Sequence, residues 1–273
     1  MNHTLVVLGC LFGAITIQAH SQGVPVQAGV AIPGKTMVIS HRGEHLHHPE
    51  NTLPAFQAAI DAGADFFEGD IRTTSDGKLI LMHDSSVNRT TNGTGRVQDL
   101  TFDQIRALDA GARFEEFKGT KVPTFDEVLD LAHGKINMYV DTKSADAKQL
   151  IDTIVRHDMQ DHVVIYGNPF FLYEVRKIRP DLKIMPEAGP ADVCKLLIKA
   201  LQLQVVAFSE GDFKEDVIQV AKQANAQIYV DRLGAQDKVE DWQQAIDMGA
   251  TGIQTDHPAE VVNYLKAHQR STH

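Results

Sequence analysis

The hydrophobic positions of the chain alternate between the spacing of strands and the spacing of helices. Short runs rich in Val, Ile and aromatic residues predict strands at 36–40, 65–72, 136–142, 163–167, 183–187, 205–209, 227–231 and 252–255. Helical patterns follow them at 52–62, 124–133, 145–157, 169–179, 190–202, 212–224, 236–248 and 258–269. This alternation indicates a parallel sheet with helical crossovers. Eight such units predict a (β/α)8 TIM barrel, with an open doubly wound sheet as the alternative fold.

One segment interrupts the alternation. Residues 78–84 (KLILMHD) are strand-like, but residues 73–77 are too few for a crossover to a parallel strand. The turn formed by Ser75, Asp76 and Gly77 therefore predicts a hairpin-like return. The polar, glycine-rich residues 85–122 then form a small insertion after the second strand, and insertions of this kind lie at the catalytic face of a barrel.

The N-terminus has the pattern of a targeting segment. Residues 4–17 (TLVVLGCLFGAITI) form an apolar run of signal-peptide length, followed by small residues at Ala19 and Ser21. We predict a signal peptide over residues 1–21, a barrel domain over 22–273, and export to the periplasm or the medium. A buried structural strand is one alternative, and lipidation at residues 7–10 (VLGC), which faintly resemble a lipoprotein box after a short apolar region, is the other. Removal of residues 1–21 would leave Cys194 as the single cysteine, so no intrachain disulfide is expected.

Charge and hydropathy restrict the partners. The formal net charge of −10 argues against nucleic-acid binding, which requires a basic surface, but permits a small phosphate-containing substrate. Beyond the N-terminal segment, no run is long and apolar enough for stable membrane insertion. The oligomeric state does not follow from the sequence.

Polar residues gather at the carboxyl ends of the predicted strands, which face the active site of a barrel. They are His41, Arg42, Glu68, Asp70, Asp141, Lys143, Tyr166, Asn168, Glu187, Glu210, Asp231 and Asp256. Glu68 and Asp70 occupy positions i and i+2 of one strand and so project to the same face. Asp141 adds a third carboxylate, and three oxygen donors suit Mg²⁺ or Ca²⁺. Solvated strand ends are the alternative interpretation.

Two cations accompany these carboxylates. Lys143 lies two residues after Asp141, so it either pairs with that carboxylate or faces a substrate phosphate. Arg42 presents a planar fork that matches a phosphate, or else holds a carboxylate such as Glu50.

Histidines crowd the stretch HRGEHLHHPENT, residues 41–52. His41 stands at a strand end, whereas His45, His47 and His48 follow in the loop, where contact with solvent or the substrate's rim is expected. His83 ends the return strand. His41 and His83 could divide the proton transfers at a bound phosphate, one accepting a proton and the other donating one. Structural histidines are the alternative.

The quoted motifs resemble a known family. HRG (41–43), PENTLPAFQAAIDAGADFFEGDIRTTSDGKLILMHD (49–84) and NRTTNGTGRVQDLT (88–101) are similar to the glycerophosphodiester phosphodiesterase family, and GATGIQTDHP (249–258) resembles its closing strand. The resemblance implies a TIM barrel with an insertion after the second strand. It also implies metal-dependent hydrolysis of a glycerophosphodiester and water to an alcohol and sn-glycerol 3-phosphate.

The resemblance also implies residue roles, each carried over by motif. They are an acid/base pair of His41 and His83, metal ligands Glu68 and Asp70, a phosphate contact by Arg42, and support of the metal site by Glu50 and Asn51.

The sequence departs from the family's pattern in three places. Asp141-Thr142-Lys143 replaces an E-x-K motif, which shortens the third metal ligand. Residues 166–168 (YGN) and 229–232 (YVDR) replace the family's SF and WTVN segments. Because those segments line the leaving-group or glycerol side of the site in the family, the resemblance defines the reaction more closely than the substrate. Two alternatives remain open. One is a phospholipase D-like relative that releases a cyclic phosphate, and the other is a non-catalytic barrel that binds phosphodiesters.

Overall fold

The computed structural model describes residues 35–269, so the predicted signal segment lies outside the described residues. The strands are β1 (Met37–Ser40), β2 (Phe66–Thr73), β3 (Leu79–Leu81), β4 (Asn137–Ser144), β5 (Val163–Tyr166), β6 (Lys183–Met185), β7 (Val205–Phe208), β8 (Gln227–Arg232) and β9 (Gly252–Thr255). The α-helices are α1 (Leu53–Asp61), α2 (Phe102–Ala107), α3 (Phe125–Ala132), α4 (Ala147–Arg156), α5 (Pro169–Ile178), α6 (Ala191–Leu201), α7 (Glu215–Gln223), α8 (Val239–Met248) and α9 (Pro258–Gln269).

The parallel strands form a nearly closed barrel. Their order is β6-β5-β4-β2-β1-β9-β8-β7, and a parallel bridge between Glu187 and Ala207 joins its two ends. One hydrophobic core fills the space between the strands and the surrounding helices, and a smaller one fills the barrel interior. The predicted TIM barrel is therefore confirmed, and the open sheet is wrong because the two edge strands meet.

Local signals explain most of the helix starts. Thr124 and Glu127 form a capping box at the start of α3, and Pro169 occupies the first turn of α5. The predicted starts of α7 and α8 are each three residues early. Before α8 the chain instead forms a 3₁₀ turn at Gly234–Gln236, and before α7 Phe213 is buried in the loop.

The insertion after β2 has a small core of its own. β3 pairs antiparallel with β2, with Ile71 opposite Leu81, which confirms the hairpin-like return. The chain then buries Val87, Val97, Ile105 and other apolar side chains in a separate cluster. α2 lies in this segment and is not predicted from the hydrophobic pattern, because it spans only six residues. Within residues 35–269, no helix has both the length and the apolar character needed to cross a bilayer.

Candidate active site

A polar layer lies directly above the apolar interior of the barrel, because residues two positions apart on a strand share a face. Phe66 and Tyr139 belong to the interior cluster, and the residues two positions further along β2 and β4 are Glu68 and Asp141. Side chains two positions apart on a strand share a face, so these carboxylates stand directly above the apolar interior. The same relationship places His41 two residues after the buried Ile39.

The turn after β1 depends on unusual backbone conformations. Arg42 and Asn51 adopt positive φ angles of 53° and 57°, and Gly43 adopts 76°. A Cβ atom on Gly43 would lie 2.6 Å from the carbonyl carbon of Ala55, so a side chain is excluded there. This turn directs the backbone N–H of Arg42 to Oε2 of Glu68 at 2.8 Å. Strained backbone of this kind is typical of functional sites.

Three carboxylates converge on β2 and β4, within strands that continue three residues beyond Asp70 and Asp141. Asp70 lies opposite Asp141 in the strand register, and ligand oxygens of Glu68, Asp70 and Asp141 all lie within 4.8 Å of one another. Burial, reinforced by the negative charge of the two aspartates, raises the pKa of Glu68 well above its usual range. Burial also raises the pKa of Asp141. Since an added cation would relieve this repulsion, and all the donors are oxygens, the cluster fits a hard divalent cation.

Polar neighbours fix the orientation of Asp70. The side-chain amide of Asn51 donates to Oδ2 of Asp70 at 2.6 Å, and its carbonyl oxygen accepts from the backbone N–H of Asp70 at 3.0 Å. The ammonium group of Lys143 lies 2.8 Å from Asp141 and 3.2 Å from Asp70. Lys143 therefore pairs with Asp141, which is one of the two interpretations that the sequence offers. Its ammonium group also lies next to the carboxylate cluster.

Each of the two candidate histidines is held by a carboxylate. Nδ1 of His41 lies 2.8 Å from Asp256, and Nδ1 of His83 lies 2.8 Å from Asp84. Because an ionised carboxylate only accepts hydrogen bonds, Nδ1 carries the proton in both rings and Nε2 is the basic nitrogen. Burial lowers the pKa of His41 although Asp256 opposes the shift. Burial acts to raise the pKa of Asp256, but hydrogen bonds from His41 and the N–H of Gly234 lower it to about 2.

Arg89 of the insertion links both sides of the site. Its guanidinium donates to both carboxylate oxygens of Glu50, at 2.6 and 2.8 Å, and to both oxygens of Asp84, at 2.8 and 3.0 Å. Glu50 also accepts from Arg42 at 3.3 Å. A continuous chain of charged groups therefore runs from the Asp84 that holds His83 to the arginine of the HRG turn.

The remaining loop histidines divide into two groups. His45 packs its ring against that of His41 at 5.2 Å, and its Nε2 lies 3.6 Å from Asp256. His47 and His48 instead bind the carboxylate of Glu44. His45 is thus closer to the site than its place in the loop suggests.

Comparisons with known proteins agree with this geometry. The sequence profile of the glycerophosphoryl diester phosphodiesterase family matches residues 41–260. The chain belongs to this family. A glycerophosphodiester phosphodiesterase of Caldanaerobacter subterraneus is 35% identical over 246 residues, which cover 85% of this chain and 98% of the relative. The resemblance drawn from the HRG, PENT and HD motifs is confirmed.

Solved structures share the fold of this family member. A glycerophosphodiester phosphodiesterase from Agrobacterium tumefaciens is 27% identical, with a TM-score of 0.75, covering 82% of this chain and 97% of that one. A phosphodiesterase of Oleispira antarctica, solved in complex with the product sn-glycerol-3-phosphate, has a TM-score of 0.78 at 19% identity, and covers 85% and 97% of the two chains. The second likeness concerns the fold alone.

A second pair of acidic residues lies at the mouth of the barrel of this family member, Glu187 two residues after β6 and Asp231 on β8. The hydroxyl of Tyr166 donates to Glu187 at 3.0 Å, and the N–H of Ser209 donates to the other oxygen of Glu187 at 2.8 Å. Burial, followed by the charges of Glu187 and Asp141, raises the pKa of Asp231 to about 7. Of the other strand-end residues, Asn168 instead caps α5 through its side-chain oxygen.

Two contributors to the site were not predicted from the sequence. Asp256 appears among the strand-end residues, but its hydrogen bond to His41 was not foreseen. Arg89 lies in the motif NRTTNGTG, which contributes to the family resemblance, but nothing in the local sequence indicates its contacts with Glu50 and Asp84. For Asp256, the only indication of a role in the site is its position directly after the last predicted strand.

Proposed function

We propose that this protein hydrolyses glycerophosphodiesters in a metal-dependent reaction, in which a glycerophosphodiester and water give an alcohol and sn-glycerol 3-phosphate. Family membership supports the substrate class. The observation that carries the mechanism is the pair of histidines, each oriented by a carboxylate, in the same site as three clustered carboxylates. This combination supplies proton transfer and a place for a cation in one site.

One divalent cation, Ca²⁺ or Mg²⁺, would be held by Glu68, Asp70 and Asp141. The fit rests on the all-oxygen donors and on the raised pKa values of Glu68 and Asp141, which indicate negative charge without enough compensation. When bound, the cation offsets negative charge that develops on the phosphate oxygens. Asn51 supports the site because its amide fixes the rotamer of Asp70.

Arg42 and Lys143 bind the phosphate in this proposal. The Arg42 side chain lies 3.8 Å from Asp70 and 3.3 Å from Glu50, so it stands at the edge of the carboxylate cluster. Its Nε is buried and makes no hydrogen bond within the described residues, so a donor is left for a substrate oxygen. Lys143 adds a second positive charge beside Asp141. Glu50 holds the Arg42 fork in place from the other side.

The two histidines divide the proton transfers. We assign His41 as the first base, because burial lowers its pKa and so keeps its Nε2 unprotonated near neutral pH. It accepts the proton of the attacking hydroxyl, either water or the neighbouring glycerol hydroxyl, as the new P–O bond forms. His83 enters this step protonated on both ring nitrogens, and it donates its Nε2 proton to the head-group oxygen as the P–O bond to that oxygen breaks. If the glycerol hydroxyl attacks, water then opens the resulting cyclic phosphate.

Turnover of glycerophosphocholine by the purified protein tests this function. We expect glycerol 3-phosphate as the product, loss of activity with chelator, and recovery with Ca²⁺ or Mg²⁺. His41→Ala and His83→Ala should each lower kcat/KM by about 10²-fold or more. The matched control is the double variant His47→Ala, His48→Ala, which alters histidines of the same loop that bind Glu44 instead. Retention of activity within a few fold in both single variants would contradict the roles.

One feature of the sequence favours an alternative reaction, in which the product is a cyclic phosphate. Asp141-Thr142-Lys143 resembles the D-x-K pattern of phospholipase D-like relatives, which release a cyclic phosphate. ³¹P NMR separates the two reactions, because the cyclic ester accumulates in one and glycerol 3-phosphate in the other. Absence of turnover of any phosphodiester, with retained binding, would instead indicate a non-catalytic barrel.

Export remains a proposal that depends on residues 1–21. Their apolar pattern and the small residues at Ala19 and Ser21 support it. N-terminal sequencing of the protein recovered from the producing cell would test it, since cleavage after Ser21 leaves Gln22 as the first residue.

A further inference from the structure

A cavity of about 240 Å³ lies between the histidine-rich loop and the insertion. The loop contributes His45, Pro49 and Glu50 to its wall, and the insertion contributes Arg89, Arg113 and others. It is separate from the carboxylate cluster, because none of Glu68, Asp70 and Asp141 lines it.

Two wall residues of the cavity contact groups of the proposed catalytic machinery. The ring of His45 contacts that of His41, the proposed base. The carboxylate of Glu50 accepts a hydrogen bond from Arg42, the proposed phosphate ligand. The cavity therefore borders the groups that are proposed to act on the phosphate, on the side where an ester group of the substrate would extend.

Among the charged side chains of the cavity wall, Arg113 is the one cation that lacks a counter-ion in the part of the chain that the structure describes. Glu50 is compensated by Arg89 and Arg42, and Arg89 is fully engaged by Glu50 and Asp84. Arg113 is exposed and makes no ion pair or side-chain hydrogen bond within residues 35–269. Its five donors are free to meet an anion.

Phe114 gives the cavity an apolar surface beside that cation. Its ring is partly buried and packs edge-on against Phe117 at 6.3 Å, while the adjacent Arg113 remains exposed. An aliphatic head group that ends in an anionic oxygen group matches this pair of surfaces, because its carbon chain can contact the ring while its charge meets the guanidinium.

We propose that this cavity binds the head-group alcohol of the substrate and that Arg113 selects head groups carrying a carboxylate or phosphate. The inference rests on the proposed function and specifies which head groups are preferred among glycerophosphodiester substrates. Arg113 acts in this role as a specificity-determining residue, and it takes no part in the proton transfers.

Glycerophosphoserine and glycerophosphoethanolamine provide a matched test, because they differ only in the carboxylate of the head group. We expect Arg113→Ala to lower the ratio of kcat/KM for the serine ester over the ethanolamine ester about tenfold, as loss of a charge-assisted hydrogen bond implies. Arg113→Lys should restore part of that ratio because it keeps the charge. Lys118→Ala removes a cation of the same insertion that pairs with Glu115 and should leave the ratio unchanged.

The outcomes separate the two proposals. If the wild type hydrolyses neither ester, the proposed function is wrong and the head-group site is wrong with it. If it hydrolyses both and Arg113→Ala leaves their ratio within twofold, only the head-group site is wrong. An equal fall of the ratio in Lys118→Ala would also overturn it, because general charge would then account for the preference.

Discussion

Nδ1 of His41 lies 2.8 Å from Oδ1 of Asp256, a residue 215 positions further along the chain. The hydrogen bond joins the end of β1 to the end of β9, which are neighbours in the barrel. His83 has the same arrangement with the adjacent Asp84. In both rings the carboxylate fixes the tautomer and the orientation, which leaves Nε2 for the reaction.

Asp256→Asn should lower kcat by about 10²-fold or more with little change in KM. The amide can donate as well as accept, so it no longer imposes the Nδ1–H tautomer of His41. Asp256 also raises the pKa of His41 against the effect of burial, so its loss should move the acidic limb of the pH–rate profile to lower pH. Glu44→Gln makes the same chemical change in the histidine-rich loop and should have no such effect, because Glu44 binds His47 and His48. A fall in stability with an unchanged pH profile would assign Asp256 a purely structural role.

Arg89→Ala should reduce kcat/KM by about tenfold or more. Four hydrogen bonds are lost, two to Asp84 and two to Glu50, so His83 and Arg42 both lose a group that orients them. Steady-state kinetics with glycerophosphocholine would measure the effect. Arg96→Ala, at an exposed position of the same insertion, is the control. Equal activity of the two variants would show that the Arg89 network does not position the catalytic groups.

Ca²⁺ or Mg²⁺ should raise the melting temperature of chelator-treated protein by about 5–10 °C at about a hundredfold excess over Kd. The gain arises because the folded cluster binds the cation and the unfolded chain does not. Glu68→Gln removes one ligand and should abolish most of the rise, whereas Glu210→Gln, at an exposed acidic position outside the cluster, should keep it. Differential scanning fluorimetry with each cation would also show which of the two is preferred. An undiminished rise in Glu68→Gln would place the cation elsewhere.

The sequence was most informative where neighbours in the chain are also neighbours in the site. Glu68 and Asp70 share one strand, so strand periodicity alone places their carboxylates on the same face. The hairpin-like return of β3 followed from the five residues that separate it from β2, since so short a connection excludes a crossover. The eight parallel strands followed from the repeated alternation of spacing.

Contacts between distant segments were not predictable in the same way. Arg89 reaches Glu50 across 39 positions, and no local pattern relates them. His45, for which contact with solvent or the substrate's rim was expected, contacts His41 because positive φ angles at Arg42 and Gly43 turn the loop back over the strand end. Such contacts depend on how the loops fold above the barrel, which periodicity does not describe.

Asp231→Asn should stabilise the metal-free protein at pH 8. The pKa of Asp231 is about 7 in the folded protein, against an ordinary value of 3.8, because burial and the nearby carboxylates disfavour its charge. The folded state therefore holds a proton more strongly than the unfolded state, and stability falls as pH rises from about 4 through 7. The neutral amide avoids this loss, and because the side chain is partly exposed we expect a gain of roughly 1–3 kcal/mol at pH 8 that disappears near pH 4. Urea denaturation at both pH values measures it, and Asp216→Asn, at an exposed position on α7, is the control. A gain of equal size at pH 4 and pH 8 would show that charge burial is not its source.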